Sequence, residues 1–167
     1  MSSPFIHERH KPLSPLMRPR ELIVACPPLR SHVNLSHIVR TAGCCGVSRV
    51  IACGNAGVDK KIARDGADEV RLEIHRTLPP VLKRLKEEGY RIVGLEQTTN
   101  SQNLHTFAFE RRTVLVVGHE RNGLTPDLLA EVQQTLEIPV WGLPFSYNVH
   151  TATAMALYEY CKQFPEG

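Results

Sequence analysis

The chain has 167 residues, 42% of them hydrophobic, which is enough for one well-packed domain and short for two. No apolar run approaches the roughly 20 residues of a membrane helix, and the first fifteen residues lack the apolar core of a signal peptide, so we expect a cytoplasmic protein that does not enter the membrane. The formal net charge of +3 mildly favours a polyanionic partner. The five cysteines form no C-x-x-C pair and do not predict a metal site.

Residues 1–20 form a segment rich in proline and in cations. Its four prolines exclude regular secondary structure. Its basic residues are Arg9, Lys11, Arg18 and Arg20, opposed only by Glu8. We expect a flexible basic arm at 1–20 ahead of a single domain at 21–167. The arm either contacts nucleic-acid phosphates or is a solvated tail.

Apolar runs and helical stripes alternate along the rest of the chain. Strands are predicted at 22–26, 50–53, 69–75, 91–96, 113–117 and 136–140. Helices are predicted from Asn34 to Gly46, at 60–64, at 78–88, from Thr125, and from Asn148 to about residue 163. Several strands are apolar throughout, which is typical of parallel strands buried on both faces. The alternation predicts one α/β domain with a mostly parallel sheet.

Glycine-rich or polar loops follow the last three long strands, at 96–99, 118–123 and 141–146. A dinucleotide-binding fold would instead carry G-x-G-x-x-G after its first strand, and the turn there, PPLRSHVNL, has no glycine. The 118–123 loop has the glycine spacing of a phosphate loop, but Leu124 stands where the lysine is needed. If the three strands are neighbours, their loops converge at the carboxyl edge of the sheet, and we expect the ligand there.

The stretch from Ile138 to Glu159 passes from a strand end through a turn-rich loop into a helix. Leu143 and Phe145 wall the loop, and either Asn148 or Ser146 caps the helix. Free backbone groups next to a helix N-terminus suit a polar ligand with a flat aromatic part. The alternative interpretation is an ordinary strand–loop–helix crossover.

Three stretches, NLSHIVRTAG at 34–43, LVVGHERNGL at 115–124 and the segment 138–159, together resemble the signature motifs of the SpoU/TrmH family of RNA ribose 2′-O-methyltransferases, in the SPOUT class. The motif residues that match are Asn34 and Arg40, then Gly118, Glu120 and Gly123, then Ile138, Pro139, Gly142, Ser146, Asn148 and Val149. The resemblance implies a SPOUT-type α/β fold with a C-terminal deep trefoil knot, S-adenosylmethionine as cofactor, and a homodimer.

The resemblance also implies two sets of site residues. The cofactor set is Leu95, Glu96, Gln97, Gly118, Ile138, Gly142, Leu143, Ser146 and Tyr147. The catalytic set is Arg40, Asn34, Glu120, Asn148 and His150. No metal is implied. In the dimer, Arg40 of one subunit would serve the cofactor of the other.

Each catalytic residue has an implied role and a plainer alternative. Arg40 is always protonated, so it is expected to hold the phosphate beside the target ribose rather than to act as a simple base. Asn34 positions the nucleotide, caps a helix, or does both. Glu120 orients Arg40 or Asn148, or is an exposed loop acid. Asn148 bridges ribose and protein or only caps its helix, and His150 accepts the 2′-OH proton or packs in a subunit interface.

The sequence departs from the family pattern at Ser36, Tyr147 and His150. His150, taken with GYRIVGLEQT at 89–98, is similar to the eukaryotic subfamily that methylates the D-loop guanosine of tRNA. The leading hypothesis is therefore a tRNA ribose 2′-O-methyltransferase. Ribosomal RNA is the alternative substrate, and a knotted RNA-binding module without catalysis is the alternative function.

Overall fold

The computed structural model describes all 167 residues. Its strands are β1 (Leu22–Ala25), β2 (Arg49–Cys53), β3 (Arg71–His75), β4 (Arg91–Leu95), β5 (Gln102–Asn103), β6 (Thr113–Val116) and β7 (Gln134–Glu137). Its helices are α1 (His32–Cys44), α2 (Lys60–Ala63), α3 (Gly66–Glu69), α4 (Pro79–Glu87), α5 (Pro126–Leu129) and α6 (Val149–Gln163). None of the six helices has the length and apolarity that crossing a bilayer requires.

The strands form one sheet of seven in the order β3-β2-β1-β6-β4-β7-β5, and every neighbouring pair is parallel. Alternate residues of a strand enter the two cores: Leu22 and Val24 pack on the α1 and α6 side, whereas Ile23 packs on the α4 and α5 side. Apolar runs are needed where both faces of a strand are covered. The predicted α/β architecture with a parallel sheet is confirmed.

The strand order places the three predicted ligand loops at one edge. β4 lies between β6 and β7, so the segments that follow these strands leave the same edge of the sheet side by side. Strand β7 occupies Gln134–Glu137, whereas the sequence predicts 136–140. Residues 138–140 already belong to the loop, because β7 pairs with β4 only as far as Leu136.

Helix α1 begins before its predicted start. Its N-cap is Ser31, whose Oγ accepts the backbone N–H of Asn34 at 3.2 Å, so the prediction that Asn34 opens the helix is wrong. Ser36 is fully buried although it is polar. Its hydroxyl donates to the carbonyl of His32 at 2.6 Å and accepts the N–H of Asp59 at 2.8 Å, which anchors the segment before α2. Two short elements, α3 and β5, were not predicted.

The base of the N-terminal segment is bound to the folded domain. Arg20 is buried, and its guanidinium donates to the carbonyls of Cys45 and Phe164 at 2.7 and 2.5 Å. Arg18 donates to the carbonyl of Gly167 at 2.8 Å. Within the predicted arm, these two cations therefore bind protein carbonyls, and Arg9 and Lys11 remain exposed.

Candidate active site

A cleft of about 360 Å³ opens at the carboxyl edge of β4, β6 and β7. Apolar side chains of β4, β7 and α6 form its walls, and loop residues form its mouth. The lining includes the predicted cofactor residues Leu95, Glu96, Gln97, Gly118, Ile138, Ser146 and Tyr147. Gly142 and Leu143, predicted with them, do not line the cleft. The loop turns outward after Val140, which leaves Trp141 83% and Leu143 77% exposed.

Glu96 joins two of the loops around the cleft. Its carboxylate accepts the backbone N–H of Gln97 at 3.0 Å and that of Leu124 at 2.8 Å. Gly123 lies directly against this carboxylate and has a φ of +60°, so any side chain there would be strained and would strike Glu96. Only glycine fits where the carboxylate caps the loop that follows β6.

His119 fixes the shape of the same loop. Its backbone pairs with Gly123 through two hydrogen bonds of 3.0 Å. Its ring Nδ1 accepts the N–H groups of Arg121 and Asn122 at 3.1 and 3.3 Å, which places the ring hydrogen on Nε2, 3.6 Å from the Glu120 carboxylate. The ring of His119 is therefore committed to loop structure.

Glu120 connects this loop to the start of α1. Its carboxylate accepts the backbone N–H groups of Arg30 and Ser31 at 3.0 Å each and the side-chain amide of Asn34 at 3.3 Å. Partial burial acts to raise the pKa of Glu120, but these hydrogen bonds prevail and hold the pKa below its ordinary value. Glu120 is thus an ionised acceptor of hydrogen bonds and a weak base.

Asn148 extends the hydrogen-bonded chain to α6. Its Nδ2 donates to Oδ1 of Asn34 at 3.3 Å, and its own Oδ1 accepts the N–H of His150 at 2.8 Å. The predicted N-cap of the last helix is therefore Asn148 rather than Ser146. The chain Glu120–Asn34–Asn148 brings three of the five predicted catalytic residues together at the mouth of the cleft.

The fourth, His150, faces α1 and not the cleft. Its ring stacks on that of His37, with centroids 4.5 Å apart and planes 21° apart. Its Nδ1 is buried without a hydrogen-bond partner. Burial lowers the pKa of His150, and His37 lowers it further. Sequence reasoning left His37 out of the site, although its position midway between Asn34 and Arg40 on one helix was a usable signal.

Arg40, the fifth, is exposed on α1 and does not line the cleft. It makes no hydrogen bond and no salt bridge, and the backbone of Gly66 packs against its Cα, where a Cβ on Gly66 would approach to 3.1 Å. Within one chain, the guanidinium is therefore free to bind a ligand from solvent.

The cleft is acidic and apolar. Glu96, Glu120 and Glu137 line it against the single cation Arg121. Carboxylates disfavour a phosphate and favour a ligand with positive charge, and the aliphatic walls accept a flat ring. No group of three or more His, Cys, Asp or Glu side chains is arranged to hold a metal ion.

Sequence comparison identifies relatives over most of the chain. The model of the SpoU rRNA Methylase family matches residues 21–158. The tRNA (guanosine(18)-2′-O)-methyltransferase of Aquifex aeolicus is 32% identical over 154 residues, which are 89% of this chain and 72% of that protein. The tRNA (guanosine(18)-2′-O)-methyltransferase TARBP1 of Mus musculus is 37% identical over 82 residues, which are 49% of this chain and 5% of the mouse protein. The chain thus spans a small part of the length of this mouse relative.

Solved structures share the fold. The A. aeolicus TrmH/SpoU tRNA modifying enzyme superposes with a TM-score of 0.83 at 29% identity, covering 89% of this chain and 78% of that one. An AdoMet-bound rRNA methyltransferase from Sinorhizobium meliloti has a TM-score of 0.75 at 25% identity, covering 93% of this chain and 61% of that one. Together with the family match from residue 21 to residue 158 and the parallel seven-stranded sheet, these likenesses lead to one conclusion: the chain belongs to the SpoU rRNA Methylase family.

Proposed function

We propose that this chain is an S-adenosylmethionine-dependent ribose 2′-O-methyltransferase whose substrate is a guanosine in the D loop of tRNA. The observation that carries the proposal is the hydrogen-bonded chain Glu120–Asn34–Asn148 at the mouth of an acidic cleft. The names of the Aquifex and mouse relatives support the choice of tRNA and of guanosine.

The cleft suits the cofactor on chemical grounds. S-adenosylmethionine supplies a methyl group on a positively charged sulfonium, together with a flat adenine. The carboxylates of Glu96, Glu120 and Glu137 complement the positive charge, and aliphatic side chains such as Leu95 and Ile138 accept the adenine. Backbone groups near Gly118, Ser146 and Tyr147 are available for its polar edges. Gly142 and Leu143 do not contact the cofactor in this proposal and only shape the loop that carries Ser146 and Tyr147 to the cleft.

The protein supplies alignment and charge relief to a weak nucleophile. Asn34 and Asn148, linked to each other, hold the ribose. Glu120 keeps Asn34 in place through its carboxylate. Arg40 binds the phosphate next to the target ribose, because it is exposed, unpaired and always charged. His150, on α6, is the fifth residue of the proposed catalytic set.

The three loops form the deep trefoil knot of the SPOUT class in this proposal. Two contacts support it, since the segments after β6 and after β7 are both held by the segment after β4. Leu124 donates to Glu96, and the side chain of Gln97 donates to the carbonyl of Phe145 at 3.3 Å. The proposal also includes a homodimer in which Arg40 serves the partner's cleft, because Arg40 does not reach the cleft of its own chain.

Two further parts of the proposal concern the surroundings of the enzyme. The exposed cations Arg9 and Lys11 of the segment ahead of the 21–167 domain contact phosphates of the RNA. The enzyme acts in the cytoplasm, which the five free cysteines support, since unpaired thiols are usual in a reducing compartment.

The test is transfer of labelled methyl from S-adenosylmethionine to bulk tRNA and to ribosomal RNA, followed by nucleoside analysis. We expect 2′-O-methylguanosine in tRNA and a loss of about 100-fold or more in Arg40→Ala. Arg84→Ala, an exposed arginine on α4 at the opposite face of the sheet, is the matched control and retains full activity. Label in ribosomal RNA alone would show that ribosomal RNA, and not tRNA, is the substrate. Cofactor binding without methyl transfer to either RNA would favour an RNA-binding module without catalysis.

A further inference from the structure

The seam between α1 and the start of α6 carries polar pairs in a regular series. The first is the Asn34–Asn148 hydrogen bond, and the second is the stacked pair of His37 and His150. Arg40 follows one turn later on α1. Successive members of the series are three residues apart on the helix, a rise of about 4.5 Å each. A ribose held by Asn34 and Asn148 therefore lies next to the two imidazoles.

The reaction needs a proton acceptor, and the other candidates on this face are unsuitable. Arg40 is protonated at all working pH values. Glu120 is stabilised as a carboxylate by three hydrogen bonds, which makes it a weak base. His119 uses its acceptor nitrogen on two backbone N–H groups, and His32 is hydrogen-bonded to the carbonyl of Asn55. The rings of His37 and His150 make no hydrogen bond at all.

We propose that His37 and His150 work as one proton-accepting unit of the methyl transfer, with His150 as the catalytic base and His37 as the residue that positions its ring and keeps it neutral. The inference rests on the proposed function and adds to it His37, which is not among the motif positions that match the family. Two stacked imidazoles repel each other when both are charged, so the presence of His37 disfavours the protonated form of His150.

The nitrogen that meets the ribose is Nε2 of His150, because Nδ1 is buried and Nε2 is not. The 2′-oxygen forms a bond to the methyl carbon while the carbon–sulfur bond breaks and sulfur keeps its electron pair. The hydroxyl proton passes to Nε2, and the resulting imidazolium returns it to solvent. Acceptance at Nε2 requires the neutral ring to carry its hydrogen on Nδ1.

The electrostatic surroundings of the pair are simple. His37 on α1 is the one titratable group that lowers the pKa of His150 through its charge, after the larger effect of burial. Arg40 on α1 and Glu120 on the loop after β6 are the charged groups of the neighbouring site, and neither forms a hydrogen bond or a salt bridge with either ring. Replacing His37 by an uncharged residue should therefore raise the pKa of His150.

The experiment is the pH profile of kcat on tRNA for wild type, His150→Gln, His37→Phe and His37→Ala. We expect His150→Gln to lower kcat at pH 7 by about 100-fold with the dissociation constant of S-adenosylmethionine unchanged. His37→Phe keeps a stacked ring without charge, so the acid limb of the profile moves to higher pH while the plateau is retained. His37→Ala shifts the limb and also lowers the plateau, and His75→Gln, at the far edge of the sheet, changes neither.

A readout independent of activity is the NMR titration of the His150 ring. We expect the Nδ1–H tautomer and a pKa that rises in His37→Phe. A wild-type rate in His150→Gln, an unmoved acid limb in His37→Phe, or the Nε2–H tautomer in the neutral ring would each overturn the inference while wild-type transfer upholds the proposed function. If the wild-type chain transfers no methyl to any RNA, the proposed function falls and the inference falls with it.

Discussion

Single side chains at this site hold several segments at once, and Glu96 and Glu120 are the clearest cases. The Glu96 carboxylate accepts the N–H groups of its neighbour Gln97 and of the distant Leu124, and the Glu120 carboxylate connects its own loop to residues 30 and 31 by accepting both of their N–H groups. An ionised carboxylate forms stronger hydrogen bonds than a neutral group. The geometry of the cleft therefore depends on the charge of two residues, and conservative substitutions there are expected to have large effects.

Gly123→Ala tests the loop that Glu96 caps. Because φ is +60° and the added Cβ would meet the Glu96 carboxylate, we expect a loss of about 2 kcal/mol or more of stability and at least tenfold weaker cofactor binding. Urea unfolding and calorimetry measure the two quantities. Gly142→Ala is the control, since nothing lies within 4 Å of its added Cβ. Equal effects of the two substitutions would contradict this account of the loop.

The pH dependence of the stability of Glu120→Gln tests whether the charge of Glu120 holds its loop to the start of α1. The amide nitrogen of Gln would face a backbone N–H, so we expect a loss of about 1–2 kcal/mol at pH 7. The pKa of Glu120 is lower in the folded than in the unfolded protein, so its stabilisation is fully present above the unfolded value of 4.5 and is lost as pH falls through the folded value. The difference between wild type and variant in urea unfolding should therefore narrow below about pH 4.5. A constant difference from pH 7 down to pH 4 would show that the carboxylate charge is not responsible.

At the scale of elements, α1 and α6 differ in how much of each the sequence could predict. Their apolar stripes have a clear 3.6-residue period, and residues of these stripes such as Ile38 and Ala156 are buried. The start of α1 was misplaced because Ser31, Asn34 and Ser36 are all able to cap a helix, and tertiary contacts of Asn34 with Glu120 and of Ser36 with Asp59 leave Ser31 as the cap. Local patterns do not encode such a contact.

The strands show the same limit. Continuous apolar runs predicted β1, β2, β4 and β6 to within a residue or two, because both faces of these strands are buried. Strand β7 was placed too late, since Ile138 and Val140 are apolar for the cleft and not for the sheet. The stack of His37 on His150 joins residues that are distant in the chain, so no local pattern could predict it.

The N-terminus of α6 allows capping to be separated from catalysis. Asn148→Ser keeps an oxygen that accepts the N–H of His150 but loses the bond to Asn34, whereas Asn148→Ala loses both. We expect Asn148→Ala to lower stability by about 1 kcal/mol and Asn148→Ser to leave it close to wild type. Methyl transfer should fall by a similar large factor in both. Full activity in Asn148→Ser would reduce the role of Asn148 to that of a helix cap.

On the scale of the whole molecule, the cleft and Arg40 belong to different regions. β4, β6, β7 and α6 build the cleft from the C-terminal half, whereas α1 carries Arg40 on an exposed face. Arg40 does not line the cleft of its own chain. The most direct explanation is that a second copy of the chain receives it, as the proposed homodimer requires.

Subunit complementation tests this arrangement. Arg40→Ala lacks the guanidinium, and Ile138→Arg places a cation in the cleft, so each homodimer should be inactive. If Arg40 acts across the interface, coexpression yields heterodimers with one complete site each, and activity recovers to about a quarter of wild type by random pairing. If Arg40 acts within its own chain, no heterodimer has a complete site and the mixture stays inactive. Coexpression of Arg84→Ala with Ile138→Arg controls for expression and assembly.

The parallel sheet also has a consequence for how the protein is made. β1 pairs with β2 on one side and with β6 on the other, and the register Leu22–Thr113 joins residues about 90 positions apart. A ribosome needs roughly 5 to 20 s to synthesise that interval. During this time the inner edge of β1 has no partner, so a nascent chain halted before β6 should remain bound by chaperones and sensitive to protease. Chaperone binding and protease sensitivity should both be lost abruptly once residues 113–116 have left the ribosome.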